Sequence, residues 1–527
     1  MSGCKVGPDY TAPDADVNAS WLADAAPAAA NPRWWESFED PTLTSLIETS
    51  ASQNLTLRAA GLRVIEARAV RSIAVGRFFP QSQAAAGSVS ASQLSQNSAL
   101  GQGADRSFSE SFLGLEAAWE LDFWGKFRRG IEASDADLLA SVADYDAVLV
   151  TVIADVATNY ILLRSFQERL AIAESNVNLQ RQTLDLTEVR FRSGAVSELD
   201  VATARATLTD TQALIPEFKD AIDQLRLSLC VLLGRAPSEL QAELAPSTTG
   251  SSAGVARVPQ APVQIAAGVP AELLRRRPDV RQAERLAAAQ SARIGVATAD
   301  LFPQISINGV TGFASSTFEG SRNPNLGNMF DADSFTGFIG LRVNWPILNY
   351  GRITGNIRAQ DARYEQAVAA YQESVIRAAS DVESGFSTFL RAAERAALLR
   401  ESVSATRRSF DLSFMQYSAG LVDFIRLNDA QVRLEQQEDN LVEARTRIAL
   451  GAVQTFRALG GGWEIREGRE FIDAETARRM RERTNWGNVL APDWHEGKDG
   501  LFFDRPPLDK AAPTEQPAGS GTVGDAP

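Results

Sequence analysis

The chain has 527 residues, 44% of them hydrophobic, so it can bury large surfaces and is long for a single domain. Its formal net charge is −14 with no basic block, which argues against nucleic acid as a partner. Two cysteines and one histidine argue against a disulfide framework or a Cys/His metal cluster. No run of about twenty apolar residues marks a transmembrane helix, although strands could still cross a membrane.

The organisation follows in chain order. Residues 1–40 read as a lipidated N-terminal arm. Ser2-Gly3-Cys4 has the form of the end of a bacterial lipoprotein signal, so the numbering is expected to start inside that signal and the mature protein at Cys4. An acyl anchor there would fix this end to a membrane surface without spanning it. Asp9 to Pro32, rich in Ala, Pro and Asp, is expected to be extended and loosely structured. Residues 41–240 form a first unit: two short helices ended by Phe79-Pro80, strands at about 82–94 and 108–121, and a helical hairpin at about 126–233. Pro216 predicts a kink in its return helix, and Cys230 sits in an apolar run and reads as core.

Residues 241–269, low in charge and rich in Ala, Pro, Ser and Gly, read as a linker. The second unit, 270–463, opens with a basic amphipathic helix over Pro270–Ala299. Strands at about 304–316 and 334–347 and a hairpin at about 352–459 follow. Residues 464–527 form a tail with a short charged helix near Ala474–Arg483 and an end expected to be disordered.

The two units are copies. Trp119 lands on Trp345 at an offset of 226 residues, and the same offset carries Gly125 onto Gly351, Gly194 onto Gly420 and Gly234 onto Gly460 with no insertion. Within each copy Val142, Tyr145, Leu149, Val152, Val156, Tyr160 and Leu163, or Val368, Tyr371, Val375, Ala378, Val382, Phe386 and Phe389, step by three or four residues along one seam of a helix. Just before each long helix the period becomes two, as in Leu113, Leu115, Ala117, Trp119 and Leu121, which marks a strand with one apolar face. Four strands cannot close a membrane barrel, whose smallest form has about eight, and lipid does not tolerate open edges. If these strands span a membrane, at least two chains must contribute to one barrel.

Cys4-Lys5-Val6-Gly7-Pro8-Asp9-Tyr10, Leu273-Leu274-Arg275-Arg276-Arg277-Pro278-Asp279-Val280, Ile294-Gly295 with Phe302-Pro303, Arg192-Ser193-Gly194 with Leu199-Asp200-Val201, and Tyr417-Ser418-Ala419-Gly420 carry a resemblance. Together with the duplication they make the chain resemble the TolC-like outer membrane factors, specifically the NodT-type lipoproteins of resistance-nodulation-division efflux systems. The resemblance implies a mainly α fold with a membrane β part. A homotrimer would form a twelve-stranded outer-membrane β-barrel, continued by a twelve-helix periplasmic α-barrel with an equatorial belt. It also implies a periplasmic adaptor and an inner-membrane pump as partners, contact with outer-membrane lipid, and no cofactor beyond the acyl and diacylglycerol lipid on Cys4.

No catalytic constellation, phosphate loop or metal-ligand spacing is present in the sequence, which reads as a passive conduit rather than an enzyme. The helix–turn–helix tips carry the candidate sites. By the resemblance, Asp200 and Asp429 fall where the family places gate aspartates, and Asp423, Phe424 and Arg426 lie on the same stretch. Asp423 and Arg426 are expected to form an ion pair if they act in closure, and Phe424 to serve either as an apolar plug or as core. Arg426 and Val422 stand where the TolC pattern has an aspartate and an arginine, so closure must be wired differently here. Aspartates around a threefold axis would repel one another and favour cations; the bland alternative is a solvated helix face. Arg192, Ser193, Gly194, Tyr417, Ser418 and Gly420 resemble adaptor-contact positions, although turn chemistry alone also requires the glycines. The sequence thus points to an exit duct for small-molecule efflux. Protein secretion or metal-ion export remains open within the class, and a periplasmic coiled-coil adaptor outside it. An adaptor should carry one hairpin, not two.

Overall fold

The computed structural model describes residues 5–14, 32–97, 106–237, 240, 244, 257–262, 275–316 and 329–491. Cys4, most of the linker and the end of the tail lie outside them. The chain divides into Met1–Asp473 and Ala474–Pro527.

The first unit begins with α1 (Pro41–Gln53) and α2 (Leu55–Gly76). Asp40 caps α1, accepting from the Thr42 and Leu43 amides at 2.9 and 3.1 Å, and Asn54 caps α2 through the Leu57 amide at 2.8 Å. Strands β1 (Ser82–Gln93) and β2 (Ser107–Glu120) lead into α3 (Lys126–Arg192) and the return helix α4 (Glu198–Leu233), which is continuous through Pro216. The second copy consists of α5 (Pro278–Ala299), β3 (Gln304–Ser316), β4 (Phe335–Asn344), α6 (Arg352–Ser418) and α7 (Phe424–Ala458). Both long helices have 67 residues, about 100 Å at 1.5 Å per residue. Of each predicted seam all but the first residue, Val142 or Val368, is buried.

Three boundaries differ from the expectation. The basic helix expected over Pro270–Ala299 is interrupted at Arg277, which precedes a proline and is held extended at φ −61°, ψ 129°; residues 275–276 are helical, the helix proper runs Pro278–Ala299, and 270–274 lie outside the described residues. Strand β4 stops at Asn344 instead of reaching 347, since Pro346 has no N–H for a ladder. The tail does not start at 464: residues to Asp473 belong to the first unit. Arg466 there bonds the fully buried Asp146 at 2.5 Å, and Phe471 lies edge-on to Tyr145 with the Arg68 and Arg466 guanidiniums over its ring. Burial raises the Asp146 carboxyl above its usual range, against the pull of Arg466. The separate body Ala474–Pro527 contains α8 (Ala474–Arg483), with Trp486 bonded back to the Met480 carbonyl at 3.1 Å.

The strands pair in order as one antiparallel sheet. Its register places Leu113, Leu115, Phe313, Ile339, Leu341 and Val343 on one face, and Glu116, Asn308 and Arg342 on the other. The apolar face is open to the outside, Ile339 being 80% exposed, as lipid-facing strands require. The indoles at the strand bases anchor each copy alike: Trp119 donates to the Phe78 carbonyl at 3.2 Å and Trp345 to that of Leu301 at 3.0 Å.

The main core lies midway along the long helices, where Trp34 and Trp35 are buried and Trp34 stacks on Phe456 at 5.2 Å. Tyr160 donates to Asp40 at 2.8 Å, and its burial pushes the phenol up to about 12. One stretch of α3 is long and apolar enough to cross a membrane, but most of it is buried in this core.

The start of the arm is docked, while over 9–14 the loose segment expected from Asp9 onward carries neither helix nor strand. Arg129, 1% exposed, donates to the Val6 and Gly7 carbonyls at 3.1 and 3.0 Å and pairs with Asp9 at 2.9 Å. Gly7, at φ +88°, lies so close to Gly295 that a Cβ on it would sit 2.4 Å from the Gly295 Cα. Residues 15–31 lie outside the described residues.

Candidate functional site

The two hairpin tips have the same construction. In the first, the Ala195 amide bonds the Arg190 carbonyl at 2.9 Å; in the second, the Leu421 amide bonds that of Gln416 at 2.9 Å. These closures need a left-handed residue, supplied by Gly194 at φ +75° and Gly420 at φ +79°. Arg192, Ser193, Gly194, Ser418 and Gly420 are exposed at the turns. The Ser193 and Ser418 hydroxyls satisfy the Arg190 and Met415 carbonyls at 2.8 and 2.7 Å.

Tyr417 is different, and its place among contact positions is corrected. Its side chain is fully buried, with its hydroxyl on Thr187 at 3.3 Å and the Arg190 guanidinium over its ring at 4.5 Å. Arg190 also donates to the Tyr417 carbonyl. The tip of α6 is therefore clasped to the end of α3 by one arginine.

Phe424 is likewise core rather than plug. It is 2% exposed, edge-on to Tyr417 at 6.0 Å, in a cluster with Phe410, Leu427 and Leu434. No ion pair joins Asp423 to Arg426 among the described residues. The Asp423 carboxylate caps α7 by accepting the Arg426 amide at 3.3 Å, which leaves the Arg426 side chain exposed. At the matching place in the first copy, Ser197 and Asp200 form a capping box, the Asp200 carboxylate accepting the Ser197 amide at 3.0 Å. Asp429 is exposed and pairs with Arg433 one turn on at 3.1 Å. Phe424 and Tyr417 are thus brought together, while the three carboxylates are held apart in separate local roles.

Above the tips runs a buried polar seam that the sequence reading passed over. Asn176, Gln180, Thr183 and Thr187 follow one another by three or four residues on α3, and all are buried. Gln180 donates to Thr211 of α4 at 2.8 Å and to Glu435 of α7 at 3.1 Å, and Thr211 also reaches Glu435 at 3.1 Å. Buried Nδ2 of Asn176, Oε1 of Gln180 and Nε2 of Gln431 find no hydrogen-bond partner among the described residues. Burial, with Asp439 and Glu438 nearby, raises the Glu435 carboxyl above its usual range. A raised folded-state pKa adds stability below the unfolded value, lost as pH rises through the folded one. Glu435→Gln is therefore expected to raise the melting temperature at pH 7, with the gain fading as pH falls toward the ordinary glutamate range. Melts across that interval check it.

A membrane-facing sheet of four strands, continued by paired 67-residue helices that end in matched closed turns, defines one sector of an outer-membrane tunnel. The family described as "Outer membrane efflux protein" matches residues 46–235 and 269–461, and the chain belongs to it. It is 31% identical to the pyoverdine export outer membrane protein OpmQ of Pseudomonas putida over 446 residues, covering 84% of this chain and 90% of that one. It is 29% identical over 472 residues to the antibiotic efflux pump outer membrane protein ArpC of Pseudomonas putida, covering 88% and 93%. The solved outer-membrane channel OprN, at 33% identity, superposes with a TM-score of 0.78 over 88% of this chain and 100% of that one. The protein is an outer-membrane exit duct of a tripartite efflux pump and not an enzyme. The sheet of this chain has four strands, too few to close a barrel without strands from further chains.

Proposed function

We propose that this duct passes small organic molecules handed to it by a resistance-nodulation-division pump of the inner membrane, that its tip turns receive the helical hairpins of a periplasmic adaptor, and that acyl chains on Cys4 anchor it. The observation that carries the reading is the pair of matched tips, whose exposed turns offer small residues that let another hairpin approach closely. The partly unsatisfied seam behind them supports opening by repacking, because each unpaired buried group costs about 1–3 kcal/mol and weakens the arrangement that holds it. Relatives named for pyoverdine export and antibiotic efflux support small organic cargo. Lys5 touches Gly125 and the Val6 amide bonds the Trp124 carbonyl at the strand–helix junction, which supports an anchor beside the barrel's base.

Of the proposed gate residues, Asp429 retains the clearest role, since it is exposed and its partner among the described residues is a neighbouring surface arginine. Asp200 and Asp423 act first as helix caps. Asp429→Ala is expected to lower the cation preference of single channels in planar bilayers. Unchanged selectivity would return Asp429 to a solvated helix face.

A further inference from the structure

The duplication fixes how neighbouring chains meet along the tunnel. Within one chain, α3 of the first copy packs on α7 of the second. This seam contains Ser165 bonded to Thr446 at 2.7 Å and Glu168 paired with Arg445 at 3.3 Å. The copies align in sequence without insertion across both hairpins. Their three glycine pairs share left-handed φ values: 78° and 80° at Gly125 and Gly351, 75° and 79° at Gly194 and Gly420, 66° and 71° at Gly234 and Gly460. In a closed ring the second copy must in turn meet the first copy of the next chain, so the same seam recurs between α6 and a neighbour's α4.

Moving each partner by the 226-residue offset turns the internal contacts into contacts between chains. Ser165 and Thr446 become Arg391 and Asp220; Glu168 and Arg445 become Glu394 and Lys219. Both transposed pairs are of opposite charge. Lys219 and Asp220 are exposed and form no hydrogen bond or ion pair among the described residues of their own chain, and Arg391 and Glu394 are exposed and pair only with each other. Arg457, which reaches Asp155 across the internal seam at 3.8 Å, becomes Val231, 77% exposed in the single chain. The other two side-chain contacts of this seam become Arg395 on Ala213 and Thr406 on Thr209, so no like charges meet.

We propose that α6 of one chain docks on α4 of a second copy in this register, with Arg391 on Asp220 and Glu394 on Lys219 of the neighbour. This rests on the trimeric duct but fixes which residues seal its wall. The pairing gives the subunits one sliding position out of many that an apolar seam would allow.

The test places cysteines at Asp220 and Arg391 of the full-length chain and oxidises it in detergent. Covalent dimers and trimers that collapse on reduction are expected on denaturing gels. Ser165→Cys with Thr446→Cys should close within one chain, and Asp220→Cys with Arg377→Cys, which is off register, should not cross-link. Absence of the 220–391 cross-link in protein that native mass shows to be trimeric overturns the register and leaves the duct intact, whereas a monomer overturns both. Independently, Asp220→Arg is expected to lower the temperature at which the trimer dissociates, and Arg391→Asp in the same chain to restore it. A double variant no more stable than the single one contradicts the pairing.

Discussion

Arg190→Ala is expected to raise the open probability of single channels about tenfold at unchanged trimer mass. Arg190 bridges the end of α3 to the tip of α6, through the ring and carbonyl of Tyr417. A cation–π contact is worth roughly 0.5–2 kcal/mol and a charged hydrogen bond about 1.5–3 kcal/mol, both reduced here by partial exposure. A net loss of about 1.4 kcal/mol corresponds to that tenfold shift. Thr187→Val, which removes the 3.3 Å contact to the Tyr417 hydroxyl and the 2.8 Å bond to the Thr183 carbonyl but leaves Arg190 in place, should change far less. Planar-bilayer recordings of both variants beside the wild type check the order; equal openings in all three would detach the clasp from closure.

Arg466→Ala should be the most destabilising change, on the order of 3–5 kcal/mol, because it leaves the Asp146 carboxylate buried without its bidentate partner. Asp146 would then fold with its carboxyl raised further by desolvation. A raised folded pKa means stability present below the unfolded value and lost as pH rises through the folded one. The variant should accordingly recover at acidic pH, and Asp146→Asn in the same chain should recover much of the loss at pH 7. Denaturant melts of the three proteins at pH 5 and pH 7 measure this.

The architecture was legible because the duplication registers itself. A constant offset carried paired glycines and tryptophans together, and the switch from period two to steps of three and four marked each strand–helix junction. Where the fold departed, a local conflict decided: Pro278 and Pro346 moved element ends that periodicity alone extended. The docking of Phe471 and Arg466 was not legible, since both lie beyond the repeat and their partners Tyr145 and Asp146 lie more than 300 residues earlier.

At the site, position was readable and role was not. Asp200 fell at a gate position by the resemblance and Asp423 on the same stretch as Asp429, but each is also at a helix start, and the backbone's unpaired amides claim the carboxylates first. Tyr417 read as a contact position and Phe424 as either plug or core; tertiary packing buries both, edge-on to each other. Arg190 escaped notice because its copy at the 226-residue offset is Gln416. That break in the duplication was the only sequence signal of a clasp that exists once per chain.

The central claim is that four strands per chain become a membrane duct only by assembly. Native mass of the purified protein in mild detergent tests it most directly. The account predicts a single species of three chains; a stable monomer would contradict it, because a four-stranded sheet cannot remain open-edged in lipid.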